Sequence, residues 1–230
     1  YKVTGVQTCA LPILARHLTA AGLAEAAMCQ WLNAGELALK RMALSEAISH
    51  LNQGLRLVPK VPESTKRDRL ELALRRKLGI AWMAAKGWSS PDARECLLPA
   101  LNLTAAAKSG LDVLPVYWGL MSNTLSQGRV IESLQWAQEF LAKGRDSGDS
   151  EILITGHLMM TVCTFWLGEL TTCQKHTEEL IALYDPIQHR PIADVINHDP
   201  LTGAGVYRAQ VRSEEHTSEL QSPCNLVCRL

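Results

Sequence analysis

The sequence has no excess of charge of either sign, since 23 lysines and arginines face 23 aspartates and glutamates. That balance argues against a nucleic-acid or anionic-membrane surface as the chain's main business, because both partners are held by a concentrated basic field. No apolar run approaches the roughly 20 residues that span a bilayer. The cysteines are scattered without CxxC spacing, the pattern of reduced, buried thiols in a cytosolic protein. There is no GxxxxGK[ST] run to wrap phosphates with backbone amides. Nor is there a paired-aspartate motif on a strand to hold two metal ions. Period-two alternation is missing and β-branched residues never cluster, which excludes a sheet. The residues therefore name no catalytic group and no cofactor site.

Both ends of the chain read as something other than native protein. Val3–Ile13 (VTGVQTCALPI) and Arg212–Ser222 (RSEEHTSELQS) resemble translations of opposite strands of one sequencing-library adapter. Asn225–Leu230 (NLVCRL) fits the adapter bases beyond the six-base sample barcode. Pro223, Cys224 and the first base of the Asn225 codon require a barcode of the form C-N-T-G-Y-A. Tyr1 and Lys2, read on the other strand, require Y-T-T-R-T-A, and CTTGTA satisfies both. Residues 1–13 and 212–230 are therefore set aside as adapter-derived. The remainder, Leu14–Val211, is 198 residues long and keeps Cys29, Cys96, Cys163 and Cys173. It also keeps 20 basic and 20 acidic residues, so it stays neutral.

What is present is helical period almost throughout. Residues 24–41 place Ala27, Trp31, Ala34, Leu37 or Ala38, and then Met42 on one apolar stripe; residues 44–58 repeat the pattern. Pro59 and Pro62 break the helix, and a long helix is predicted from about Glu63 to Lys86. Ser89-Ser90-Pro91 is a restart signal, a serine cap with proline in the first turn. Further helices are predicted over 91–108, 112–127, 129–146, 150–167 and 169–183. Gly110, Gly128, Gly148 and Gly168 fall in the gaps, where a left-handed residue ends a helix cheaply.

Internal repetition defines the architecture. With Met28 as position one of a repeat of about 34 residues, Trp31 falls at position four, and Ala34 and Gly35 at seven and eight. Ala47 falls at twenty, Leu51 at twenty-four and Pro59 at thirty-two, the signature positions of a tetratricopeptide repeat. The small residues let the two helices of a hairpin approach closely. Gly128 and Gly168 mark two looser units, each followed five residues later by a small residue, Ser133 or Cys173. The predicted fold is an all-α, tetratricopeptide-like α-solenoid of about four antiparallel helical hairpins.

The stretch LARHLTAAGLAEAAMCQWLNAGELALKRMALSEAISHLNQGLRLV resembles the start of the repeat region in large bacterial signalling ATPases. The resemblance continues in RDRLELALRRKLGIAWMAAKGWSSPD, PVYWGLMSNTLSQG and FWLGELTTCQKHTEELIALYDPIQHR. In many members a class III adenylate or guanylate cyclase comes first, then a P-loop ATPase, then tetratricopeptide-like helices. The resemblance implies that residues 14–23 end the preceding ATPase-module helix, 24–200 form the repeats and 201–211 begin a truncated next repeat helix. It also implies a cytoplasmic regulatory scaffold, not itself an enzyme, that binds a protein or peptide or holds neighbouring ATPase and cyclase domains. Two alternatives stay open: the repeat region of a helix-turn-helix transcription regulator, and a stand-alone adaptor.

Several residues invite a functional reading beside a structural one. His189, Asp194, His198 and Asp199 form the only grouping with metal-ligand chemistry, but a loop gives them no shared register; they read as polar loop residues bonded to backbone. Cys163 and Cys173 lie on two helices of one hairpin and read as buried free thiols. Trp31, Trp82, Trp118, Trp136 and Trp166 sit on apolar stripes and read as packing. Trp88 lies in the break at Gly87-Trp88-Ser89, where it either lines a groove or plugs a helix end. The basic run Lys66, Arg67, Arg69, Arg75, Arg76 and Lys77 is interleaved with Glu63, Asp68 and Glu71, so four-residue pairs neutralise part of it. Arg69, Arg76 and Trp88 are the candidate partner-binding residues.

Overall fold

The computed structural model describes the backbone of residues 6–227 and the side chains of residues 10–213. Among them every regular element is helical, and none is long and apolar enough to cross a membrane. The chain forms two compact units, residues 1–127 and 128–230.

The first unit contains α1 (Val6–Ala20), α2 (Ala24–Lys40), α3 (Leu44–Leu55), α4 (Thr65–Lys86), α5 (Pro91–Leu97) and α6 (Gly110–Ser126). Short 3-10 segments follow α3 at Val58–Lys60 and α5 at Leu98–Ala106. Ala27, Met28 and Trp31 of α2 pack with Leu51 of α3 and with Leu74 and Leu78 of α4 in one core. A Cβ on Gly35 would stand 2.6 Å from Leu51 Cγ, which is how closely α2 and α3 approach. Ser64 caps α4 by accepting the Arg67 amide at 3.2 Å. Ser90 caps α5, with Pro91 in its first turn.

The second unit contains α7 (Val130–Ser147), α8 (Ser150–Trp166), α9 (Leu170–Leu183), α10 (Arg190–Ile196) and α11 (Pro200–Val227). α8 is its central helix, packed against α7, α9 and α11 and buried almost from end to end. Asp149 caps it by accepting the amides of Glu151 and Ile152 at 2.9 and 3.1 Å. A Cβ on Gly156 of α8 would meet Leu141 Cα of α7 at 2.9 Å, and one on Gly144 would meet the Leu153 backbone nitrogen at 3.0 Å.

The hairpin turns repeat one conformation. Gly22, Met42, Gly128 and Gly168 are left-handed, with φ of 76°, 58°, 75° and 75°. The next residues, Leu23, Ala43, Arg129 and Glu169, all sit near φ −82°, ψ 64°. In three of these turns that residue's amide closes back on a carbonyl five residues earlier, Leu18, Ala38 or Thr164, the Schellman closure of a helix end.

Four elements or turns depart from the sequence reading, besides Trp166, expected as packing and found exposed. Met42 leaves the buried stripe and becomes the exposed left-handed residue of the α2–α3 turn. The helix expected over 91–108 tightens to 3-10 from Leu98, because Pro99 has no amide to continue the α-helical ladder. Gly110 opens α6 rather than ending a helix. The segment between Asp185 and Asp199, expected as loop, contains α10.

Candidate partner-binding surface

Lys66, Arg69, Ala73 and Arg76 recur at three- and four-residue spacing and so share one face of α4. That face and the segment from Ala107 to Asp112 enclose a cleft of about 310 Å³, floored by Leu70, Leu72 and Ala73. Its charged lining is Lys66, Arg69, Arg76 and Lys108 against Asp112 alone. Arg76 Nη1 pairs with Asp112 Oδ1 at 2.6 Å, across from α4 to α6. Lys66 pairs with Glu25 of α2, and that bond raises the lysine's pKa. Arg69 Nε donates to the Ala106 carbonyl at 2.8 Å, a neutral partner that orients the guanidinium without cancelling its charge.

The neighbouring charges on α4 are paired. Arg67 lies 3.7 Å from Glu63 and 3.0 Å from Asp68, Arg75 lies 2.7 Å from Glu71, and Lys77 lies 3.4 Å from Glu36. The pairs at four-residue spacing are those the sequence predicts. The structure therefore brings Arg69 and Arg76 into one cleft and separates them from the self-paired part of the helix. Trp88 is not with them. It stands beyond the far end of α4, past Gly87, and its side chain is half-exposed.

The turn carrying Trp88 is held from beneath. The Asn123 amide, fully buried on α6, donates to the carbonyls of Trp88 at 2.7 Å and Ser90 at 2.9 Å. Gln127 donates to the Ser89 carbonyl at 3.0 Å. Sequence reasoning missed Asn123; its signal is an amide on the otherwise apolar face of α6.

The repeat-signature residues sit at the α2–α3 interface and its edge. Trp31, Ala34, Ala47 and Leu51 are buried, and Pro59 is exposed in the 3-10 turn. Trp31 also has a polar role: Nε1 donates to Thr19 Oγ1 at 3.1 Å, beside a second cleft of about 310 Å³ lined by Arg16, Ser49, His50 and Gln53. Trp82, Trp118 and Trp136 are half-buried, whereas Trp166 is exposed.

His189, Asp194, His198 and Asp199 do not converge. His189 Nδ1 accepts the Asp185 amide at 2.8 Å, and its Nε2 lies 3.0 Å from Ser150 Oγ. Asp199 caps α11 by accepting the Thr202 amide at 2.7 Å and takes the Tyr184 hydroxyl at 2.8 Å. Burial, with Asp199 beside it, pushes the Tyr184 pKa up to about 12. Asp194 lies on α10. The grouping of metal-ligand atoms among the described residues is instead His157, His176 and Glu179, which the sequence reading overlooked because two helices supply it. Cys29, Cys96, Cys163 and Cys173 are free thiols. Cys163 donates to Ser133 Oγ at 3.7 Å, not to Cys173. Burial raises the thiols of Cys96 to about 12 and Cys163 to about 11, and raises that of Cys173.

No protein-family model and no curated protein matches the chain. Among solved structures, the apo form of RapI, a tetratricopeptide-like helical repeat protein, is similar to it with a TM-score of 0.63 at 13% identity. The similarity covers 84% of this chain and 50% of the RapI chain, so the chain spans half the length of that neighbour. The chain thus has an all-α helical-repeat fold; at this identity the likeness speaks for the fold alone.

Proposed function

We propose that this chain is a protein-interaction scaffold whose cleft along α4 docks an acidic, extended segment of a partner or of a neighbouring domain. The observation that carries the reading is Arg69, oriented by a carbonyl and unneutralised at the mouth of a cleft with four basic residues and one acidic one. The apolar floor gives such a segment area to bury, and the basic rim supplies register and attraction. A helical-repeat frame supports this role, because its exposed faces present rigid side-chain rows.

The test is a selection from displayed random peptides with the wild-type chain and with an Arg69→Glu/Lys108→Glu variant. Selected peptides should be acidic, bind more weakly as salt rises, and lose about tenfold or more in affinity to the variant. Neutral peptides bound equally by both proteins would remove the cleft from the proposal.

On a larger scale we read the scaffold as the regulatory part of a bacterial signalling ATPase–cyclase, on the resemblance of residues 24–200 to the repeat region of such proteins and of 14–23 to the end of the ATPase module before it. Sequencing the source DNA outward from codons 14 and 211 tests this. A P-loop motif and a cyclase domain upstream are expected. A helix-turn-helix domain downstream, or a gene start near Leu14, would replace the reading.

A further inference from the structure

The most buried helix of the second unit carries an ionisable side chain that its apolar neighbours do not require. His157 of α8 is 5% exposed and faces α9. On α9, His176 and Glu179 are three residues apart and so lie on the same face. His157 Nδ1 is 3.0 Å from His176 Nδ1 and 3.0 Å from Glu179 Oε2, and the third side of the triangle is 3.6 Å. The imidazoles are tilted by 45° with centroids 5.1 Å apart, so they are not stacked face to face.

Direct hydrogen bonding satisfies this triangle poorly. A proton shared between the two nitrogens leaves the carboxylate oxygen out, and Glu179 Oε2 is indeed buried without accepting a hydrogen bond. A cation bonded to all three lone pairs satisfies them together. With bonds of about 2.0–2.1 Å, a tetrahedral ion separates its ligand atoms by about 3.3 Å and an octahedral one separates adjacent ligands by about 2.9 Å. The two sides of 3.0 Å lie close to the octahedral value, and the side of 3.6 Å is about 0.3 Å longer than the tetrahedral one.

We propose that His157, His176 and Glu179 form a binding site for a divalent transition cation of the zinc class, which clips α8 to α9. Two imidazoles and one carboxylate are a donor set for such ions, harder than thiolate sites and softer than all-oxygen ones. Glu179, with its side chain 39% exposed, opens the site to solvent on one side; water enters there and completes the coordination. Burial lowers the pKa of both imidazoles, His157's to about 4, which keeps them in the neutral, ligating form. Arg145 and Lys175 are close enough to oppose a cation, and Glu179 supplies the compensating charge.

Cobalt(II) is the probe of choice, because its visible spectrum distinguishes nitrogen and oxygen ligands from the thiolates that seven cysteines could supply. The full chain, stripped with chelator, is titrated with Co²⁺ and with Zn²⁺, alone and as Glu179→Gln and His176→Asn variants. One equivalent of Co²⁺ should bind with d–d bands and no sulfur charge-transfer band. Affinity should fall by more than the 10- to 100-fold that loss of an outer-shell partner costs. Glu179→Gln is near-isosteric at a half-exposed position, so its circular dichroism should match wild type and keep the comparison valid if His176→Asn fails to fold. Zn²⁺ should raise the thermal midpoint of wild type and leave that of Glu179→Gln unchanged. A thiolate spectrum, equal affinity in Glu179→Gln, or no binding at millimolar metal would each overturn the site.

Discussion

Met42 holds a backbone conformation that costs an L-residue roughly 1–2 kcal/mol, and its side chain recovers nothing, being 71% exposed. The equivalent positions, Gly22, Gly128 and Gly168, carry the residue that pays no steric cost there. Met42→Gly should therefore stabilise the first unit by about 0.5 kcal/mol, after the extra freedom glycine gains in the unfolded chain. Urea denaturation would read it, and a loss of stability would refute the turn assignment. The thiols give a pH-dependent expectation. Folded Cys96 and Cys163 hold their protons to about 12 and 11, while a solvated thiol releases its proton near 9.0. The folded state then binds more protons than the unfolded one, so stability is full below about pH 9 and declines as pH rises from 9 toward 11–12. Denaturation midpoints between pH 7 and 10.5 should show that decline, shallower in Cys96→Ala and Cys163→Ala. Nothing in the residue pattern at 38–44 distinguished Met42 from a core methionine, since its spacing continues the apolar stripe and only the turn geometry removes it.

Close approach between helices makes two glycines unequal at the scale of elements. At Gly156 an added methyl would strike the backbone of Leu141 in α7, and a backbone moves only if the whole helix moves. At Gly35 it would strike the Leu51 side chain, which has other rotamers. Alanine improves helix propensity by about 1 kcal/mol at either site, but overpacking costs roughly 1–3 kcal/mol where nothing can yield. Gly156→Ala should be the clearly destabilising change, and Gly35→Ala the milder one; thermal unfolding of the pair checks the order. Gly35 was legible as a signature position because the repeat names it. Gly156 was not, because its role comes from the register of α7 against α8, which no spacing within α8 encodes. The same limit hid the His157–His176–Glu179 triangle: the three-residue spacing on α9 is visible, but the partner across the hairpin is not. In the segment after α9, by contrast, Asp185, His189 and Asp199 accept backbone amides, the bonding expected of polar loop residues.

For the whole molecule, the helical class was readable because apolar residues recur at three and four positions in nearly every segment, with glycine or proline between. The all-α repeat fold agrees with the RapI similarity. The division into two compact units was not readable, because the residues around Gln127 form the same kind of hairpin turn as the others. The described side chains also bear on the chain's ends. In α1 the buried one is Ala15, and Thr19 bonds Trp31; in α11 the buried apolar ones are Ala204 and Val211, and Tyr207 meets Phe165 edge-on at 5.2 Å. All lie within 14–211, the stretch read as native. Before it Ala10 and Ile13 are exposed and Leu11 and Pro12 half-buried, and after it Arg212 and Ser213 are exposed. If residues 1–13 and 212–230 are adapter-derived, removing them should shift the unfolding midpoint by no more than a few degrees. Cutting further, to 14–200, removes Ala204, Tyr207 and Val211 and uncovers the apolar faces of α8 and α9. Loss of two buried side chains and the half-buried Tyr207, at roughly 1–2 kcal/mol each, should lower the stability of the second unit and drive association at high concentration. Calorimetry and light scattering on the full chain, 14–211 and 14–200 read both effects; a large loss already at 14–211 would mean that the ends contribute to the fold.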